Sequence, residues 1–308
     1  MKSRTITYDA FKDSMVLLGV GLAAAYWAID AALNFFTYPK GEFLPHLIGA
    51  DLTEFYTRMI VFCLFVIFGS HVQYTITTRK KAELNLLESY KNLQLAREAT
   101  ILGLAKLSEY RDHDTGMHLE RIEEYTNIIA REIARLPKYR TYITQEYIES
   151  ISASSVLHDI GKVGVPDAIL LKEDKLTEDE FNVIKTHPSL GGDALSSIEA
   201  KIKGQSFLSI GKEIAYHHHE KWDGSGYPDQ LSGDSIPISA RIVALTDVYD
   251  ALTTKRPYKK AFSHAEAVDI ITKESGSHFD PDIVNAFLSH QDEFNTIRKQ
   301  FLAELPET

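Results

Sequence analysis

Polar positions almost vanish twice near the start of the chain. The first run, Ser14 to Phe36, reads SMVLLGVGLAAAYWAIDAALNFF and is long enough for a bilayer core of about 30 Å, which takes roughly 20 helical residues. Its one charge is Asp30. An aspartate at mid-membrane costs roughly 2.5 to 3.5 kcal/mol, so Asp30 is expected near the outer interface or facing a second helix. The second run, MIVFCLFVIFG from Met59 to Gly69, reaches spanning length only with its flanks, over residues 55–76. A core helix of a soluble domain is the alternative for a run this short. From Arg79 to Arg111 the pattern changes: there is no proline, one glycine (Gly103), and Leu86, Tyr90, Leu93, Thr100, Leu104 and Leu107 fall on a 3-4 spacing interrupted by Arg97. That pattern predicts a helical connector, either a coiled coil of about three to four heptads joining two chains or an amphipathic helix packed on its own domain. The expected organisation is a membrane anchor over 1–78 with spans at about 14–36 and 55–76, a connector over 79–103, and a domain over 104–308.

Charge orients this arrangement. Lys2, Arg4 and Lys12 precede the first run and Arg79, Lys80 and Lys81 follow the second, whereas the loop between holds only Lys40 and Arg58. The positive-inside rule then puts both termini in the cytoplasm and the loop of residues 37–54 outside. The expected location is the inner (cytoplasmic) membrane, multi-pass, with membrane lipid as a partner. A secretory signal over residues 1–25 is the rival, given the basic start and LAAA, but the apolar stretch continues through Tyr26, Trp27 and Ile29. A net charge of −10 argues against a nucleic-acid polymer as ligand. The single cysteine, Cys63, excludes a disulfide framework or thiolate metal site within one chain.

Beyond Tyr110 the metal-ligand residue types gather. Asp114 and His118 in DTGMH are four apart and share a helical face. His158 and Asp159 open HDIGK, His187 lies in KTHPSLGG, His217 to Glu220 read HHHE, and Asp247 lies in ARIVALTDVYDAL. Histidine and carboxylate without thiolate suits iron, manganese, zinc or similar first-row metals. His46, His71, His113, His264, His278 and His290 are read as ordinary core or surface residues, and His217 is left outside the ligand set. Glu220 is read as a carboxylate orienting a ligand histidine. The glycines of WDGSGYP predict a tight turn.

The ordered series HDIGK, HHEKWDGSGYP (His218 to Pro228), IPISARIVALTDVYDALTTKRPYKKAFS and SGSHFDP resembles the HD-GYP domains, a branch of the HD phosphohydrolase superfamily, from about Leu104 to Leu288. The resemblance implies an all-α fold: an HD-superfamily helical domain preceded here by a two-helix transmembrane hairpin and a helical connector. It implies a metal-dependent phosphodiesterase opening cyclic di-GMP to pGpG or onward to GMP. By similarity Asp159 bridges two metals, His158, His118 and Asp247 serve one side, and His187, His218 and His219 serve the other. Lys162 is implied as the cation at the scissile phosphate. Arg256, Lys259 and Tyr227 match positions that face the substrate. Asp114 departs from many relatives, which carry a non-liganding residue there. An extra carboxylate at that point predicts a further metal ligand, so that two or three divalent ions are expected, iron or manganese foremost. Two other readings stay open: a cyclic-dinucleotide receptor without turnover, and a phosphodiesterase for a mixed GMP-AMP cyclic dinucleotide.

Overall fold

A computed structural model describes residues 14–37, 47–49, 51–109, 117–172, 174–201, 207–255 and 261–304. The architecture is all-α, and among the described residues the only β-type pairing is an isolated bridge between Ser275 and Phe279. The chain divides into two compact units, Met1–Gln94 and Leu95–Thr308.

In the first unit α1 (Ser14–Thr37) lies against the start of α2 (Leu52–Glu109). The two helices approach closely at glycines: a Cβ on Gly19 would overlap the carbonyl oxygen of Phe65, and one on Gly69 that of Met15. Small residues at such a crossing let backbones touch without a void. Asp30 faces the second helix, where Arg58 Nε donates to its Oδ2 at 2.8 Å. Trp27 Nε1 closes the same end by donating to the carbonyl of Leu47 at 2.8 Å. Both helices are long and apolar enough to cross a membrane. Large apolar side chains such as Leu17, Ile29, Leu33, Ile60, Leu64 and Phe68 point outward and are exposed. The second apolar run and the 3-4 spaced segment form one unbroken helix of 58 residues, because it holds no proline and its two glycines, Gly69 and Gly103, cost only about 1 kcal/mol each in a helix.

The second unit takes up the end of α2 and continues with α3 (His118–Ile133), α4 (Gln145–Ser155), a 3₁₀ segment (Ile160–Gly164), α5 (Asp167–Leu170), α6 (Glu178–Ile184), α7 (His187–Glu199), α8 (Phe207–His217), α9 (Ile238–Thr253), α10 (His264–Lys273) and α11 (Pro281–Glu304). Starts are set by local chemistry. Thr177 with Glu180 and Ser263 with Glu266 form reciprocal capping boxes at α6 and α10. In α3, Leu119, Ile122, Tyr125, Ile129 and Ile133 are buried, the 3-4 stripe of a helix with one face in the core. α9 is buried on nearly every side from Ile238 to Thr246 and packs against α3, α8, α10 and α11. An aromatic cluster fills the centre: Tyr125 stacks on Phe294 with centroids 4.4 Å apart, and Tyr249 meets Phe294 edge-on at 5.2 Å. A smaller apolar cluster of Ala105, Leu119, Val156, Leu157, Leu195, Leu208 and Ala215 lies where the end of α2 meets α3, α4, α7 and α8.

Candidate metal centre

The chain presents its ligand-type side chains at helix ends. His118 is the first residue of α3 and His187 the first of α7. His158 and Asp159 follow α4 directly, and His218 and His219 follow α8. Asp247 alone comes from a helix interior, that of α9. These ends converge into two adjoining groups. Asp159, His187, His218 and His219 offer donor atoms all within 4.8 Å of one another, and so do His118, His158 and Asp247. Asp159 sits between them: its Oδ1 is 3.1 Å from His187 Nε2 and 3.6 Å from His218 Nε2, while its Oδ2 is 3.3 Å from His158 Nε2. On the other side, Asp247 Oδ1 is 3.7 Å from His118 Nε2 and 3.8 Å from His158 Nε2.

Backbone carbonyls fix the tautomers. Nδ1 of His158 faces the Ser155 carbonyl at 3.0 Å, that of His187 the Ile184 carbonyl at 2.8 Å, and that of His218 the Ile214 carbonyl at 3.0 Å. A carbonyl can only accept, so each Nδ1 carries a proton, and Nε2 is the nitrogen that turns inward with a lone pair to offer a cation when it is unprotonated. The Nε2 atoms of His187 and His218 stand 3.4 Å apart. His158 Nε2 and Asp159 Oδ1 are buried without a hydrogen-bond partner. Such a convergence of acceptors is repulsive until a cation enters it, and imidazole nitrogens whose other nitrogen is held by a carbonyl are the ordinary form of metal-binding histidine. The donor set therefore fits divalent first-row ions in both groups.

The electrostatics divide the two sides. Burial lowers the basicity of His219 well below the usual imidazole value, and His218 and His187 add to the effect; His218 is lowered by burial too. On the other side burial pulls His118 down, but Asp250, Asp247 and Glu109 outweigh it and push its pKa up to about 10. A cation at that end would displace a proton. Burial alone would raise the Asp159 carboxyl, yet Lys162 and His158 hold it well below the usual range. Lys162 Nζ lies 2.7 Å from Asp159 Oδ2.

Close backbone packing sets the register of the centre. A Cβ on Gly161 would overlap the His187 carbonyl oxygen and crowd the Gly191 amide, so glycine is what lets the segment after Asp159 lie on the first turn of α7. Gly161→Ala is expected to destabilise the fold by about 1 to 3 kcal/mol through overpacking and to lower metal content, because His158 and His187 can no longer both reach their places. Urea unfolding and elemental analysis of the purified full chain check this.

An HD-domain family model matches residues 84–283, well over half of the chain. The chain belongs to the HD-domain family. It is an HD-GYP chain of that family. It is 49% identical over 219 residues to a cyclic di-GMP phosphodiesterase of Vibrio cholerae serotype O1, an overlap of 71% of this chain and 44% of that protein. It is 40% identical over 197 residues to a cyclic di-GMP phosphodiesterase of Thermotoga maritima, 64% of this chain and 50% of that protein. With a 3'3'-cGAMP-specific phosphodiesterase of Vibrio cholerae it shares 37% identity over 216 residues, 70% of this chain and 38% of that protein. The chain thus spans about half the length of these relatives, or less.

In this HD-GYP chain the motif after α8 is braced from outside the ligand set. Glu220, expected to orient a ligand histidine, instead accepts the backbone N–H groups of Asp229 at 2.7 Å and Leu231 at 3.1 Å, tying the loop closed. A side chain on Gly226 would overlap the backbone of His219, Glu220 and Lys221, so the turn closes only with glycine there. Trp222 and Asp223 donate their N–H groups to the carbonyls of His278 and Ser277 at 3.0 and 2.9 Å, which physically joins the HHEKWDGSGYP and SGSHFDP motifs. Tyr227 lies with its ring 4.9 Å from that of His219. Lys185 stands 5.6 Å over the same ring. His217 stays apart from the two ligand groups, its Nδ1 3.6 Å from Asp229. His264 hydrogen-bonds Tyr249, His290 meets Glu132, and His278 stacks on Phe279. Asp114, Arg256 and Lys259 lie outside the described residues, as do His46 and His113.

Three site residues escaped the motif reading. Asp250 Oδ2 binds His118 Nδ1 at 2.7 Å, and Arg121 holds Asp250 with Nε at 2.6 Å and Nη2 at 2.8 Å. The third is Glu109, whose Oε1 is 3.6 Å from His118 Nε2. The signal for the first two was in the spacing: Asp250 follows Asp247 by three, as Arg121 follows His118, so each shares a helical face with a ligand.

Proposed function

We propose that this chain is a membrane-anchored, metal-dependent phosphodiesterase that hydrolyses cyclic di-GMP to pGpG or onward to GMP. The observation that carries the reading is the convergence of seven histidine and carboxylate side chains into two adjoining donor groups with Asp159 between them. The names of the relatives support cyclic di-GMP as substrate. A 3'3'-cGAMP-specific relative at 37% identity supports a mixed GMP-AMP cyclic dinucleotide as the second reading.

In this proposal Asp159 bridges two divalent ions, His118, His158 and Asp247 hold one, and His187, His218 and His219 hold the other. Paired metals acidify water and stabilise charge on phosphoryl oxygens during in-line displacement. Lys162 supplies a cation at the scissile phosphate, with Arg256 and Lys259 at the remaining phosphate charge; an acidic protein has to gather such cations locally for an anionic substrate. Tyr227 offers its ring to the substrate beside His219. Asp114 adds a carboxylate for a third ion, and iron or manganese suits the nitrogen and oxygen donors. Lys162→Ala is expected to lower turnover about 100- to 1,000-fold while metal content stays near normal, which steady-state kinetics with elemental analysis will show.

The anchor follows from the two apolar helices and their basic flanks, with the HD-GYP domain in the cytoplasm. Leu86, Tyr90, Leu93, Leu104 and Leu107 are exposed along α2 and supply the seam for a parallel homodimer. The deciding experiment is product analysis and substrate competition on the full chain in detergent, loaded anaerobically with ferrous iron or manganese. Preferred hydrolysis of cyclic di-GMP supports the proposal, preference for the mixed dinucleotide supports the second reading, and tight binding without turnover sinks both in favour of a receptor.

A further inference from the structure

The last turn of α2 is docked at the metal centre through several kinds of contact at once. Ala105 is buried in the apolar cluster beneath the ligands, together with Leu119, Val156 and Leu157. Lys106 forms an ion pair with Glu120 in the first turn of α3. Ser108 is buried, and its Oγ donates to the carbonyl of Ile160, next to Asp159, at 3.3 Å. Glu109 then places Oε1 3.6 Å from His118 Nε2, the nitrogen that faces Asp247 at 3.7 Å. The His118 ring is oriented from its other nitrogen by Asp250, so Nε2 is turned toward Glu109 and Asp247; Glu109 stands outside the group of His118, His158 and Asp247 whose donors all lie within 4.8 Å of one another. The Glu109 side chain is itself largely buried, 16% exposed.

Counting donors shows why a carboxylate belongs here. The group containing Asp159 offers three imidazoles and a carboxylate, whereas the group containing Asp247 offers two imidazoles and a carboxylate. A divalent ion held by three protein donors is completed by water or by a further side chain. A second carboxylate beside Asp247 would also balance charge: an ion on that side meets one negative group from Asp247 alone, and only shares Asp159. We propose that Glu109 is a further donor to the His118 side of the metal centre, carried there by the docked last turn of the helix that begins at Leu52. This rests on the metal-centre reading given above and extends it to a residue outside the HD-GYP motifs.

On this assignment Glu109 acts on one ion and not on the other. Losing a metal ligand or its supporting partner costs about 10- to 100-fold in metal affinity. The test is anaerobic manganese binding to the full chain in detergent, followed by elemental analysis and by the electron paramagnetic resonance signal of coupled manganese pairs. Glu109→Gln, which keeps size and helix propensity, is expected to weaken one ion about 10- to 100-fold and to reduce the coupled-manganese signal, leaving every other ion bound with wild-type affinity. Ser108→Ala with Lys106→Ala, which loosens the turn while keeping the carboxylate, is expected to weaken the same ion by a smaller factor. Wild-type stoichiometry and affinity in Glu109→Gln would overturn the proposal. Equal weakening of every ion would overturn it too, since it would make Glu109 a general support of the fold. Asp159→Ala is the control that separates the two levels: if it also keeps every ion, the metal-centre reading itself fails, whereas its loss of metal beside an unaffected Glu109→Gln removes Glu109 alone.

Discussion

Asp159→Ala is expected to abolish phosphodiester hydrolysis, by about 1,000-fold or more, and to strip metal from the chain while leaving its helical content in place. Among the described residues, Asp159 is the carboxylate whose two oxygens face different donor groups, Oδ1 toward His187 and His218 and Oδ2 toward His158. Removing it would leave two groups of donors with no shared carboxylate, so ions held there would lose a ligand and with it the charge they would supply to a phosphoryl oxygen. The fold has no comparable need of it, since the residues around it are anchored by their own backbone carbonyls. Circular dichroism, elemental analysis and a product assay on the same preparation check the three parts. Wild-type turnover with wild-type metal would contradict the bridging role.

Asp250→Ala is expected to act on fold and metal together, lowering stability by about 3 to 5 kcal/mol. Asp250 is 1% exposed and carries the bidentate Arg121 and the ring of His118. Deleting the carboxylate leaves the Arg121 guanidinium buried opposite an apolar side chain, the costly way to break an interior ion pair. It also releases His118 to rotate. The double variant Asp250→Leu with Arg121→Met removes both charges and is expected to regain most of the stability, as apolar replacement of a buried pair often does, but not the metal on the His118 side. Urea unfolding followed by tyrosine fluorescence, with metal analysis, separates the two consequences. If the double variant binds metal as wild type does, Asp250 has no part in orienting His118.

How far this was legible in the sequence depended on the range of each interaction. The candidate ligands His118, His158, Asp159, His187, His218, His219 and Asp247 were legible through the resemblance to HD-GYP domains, whose ordered motifs carry them, and the fold brings them into two groups. The apolar runs were legible because a bilayer demands length. Glu109, Asp250 and Arg121 each read locally as one more charge on a helix, and only packing reveals that Glu109 and Asp250 meet His118 while Arg121 holds Asp250. Glu220 misled for the same reason: a glutamate beside two ligand histidines looks like their support, whereas the Gly226 turn brings two orphan backbone N–H groups back to it. The 3-4 pattern of Leu86 to Leu107 predicts a helical connector, and because nothing in it stops a helix α2 runs through it.

That unbroken α2 imposes an angular arithmetic on any rearrangement of the gene. Each residue in a helix turns the chain by about 100° and advances it about 1.5 Å, so one codon added or lost between Leu95 and Ser108 turns the α2 residues just before it by more than a quarter of a circle relative to Glu109. Seven residues bring the phase back to within about 20°. Changes of length tolerated in that stretch of α2 should therefore recur with the period of a heptad.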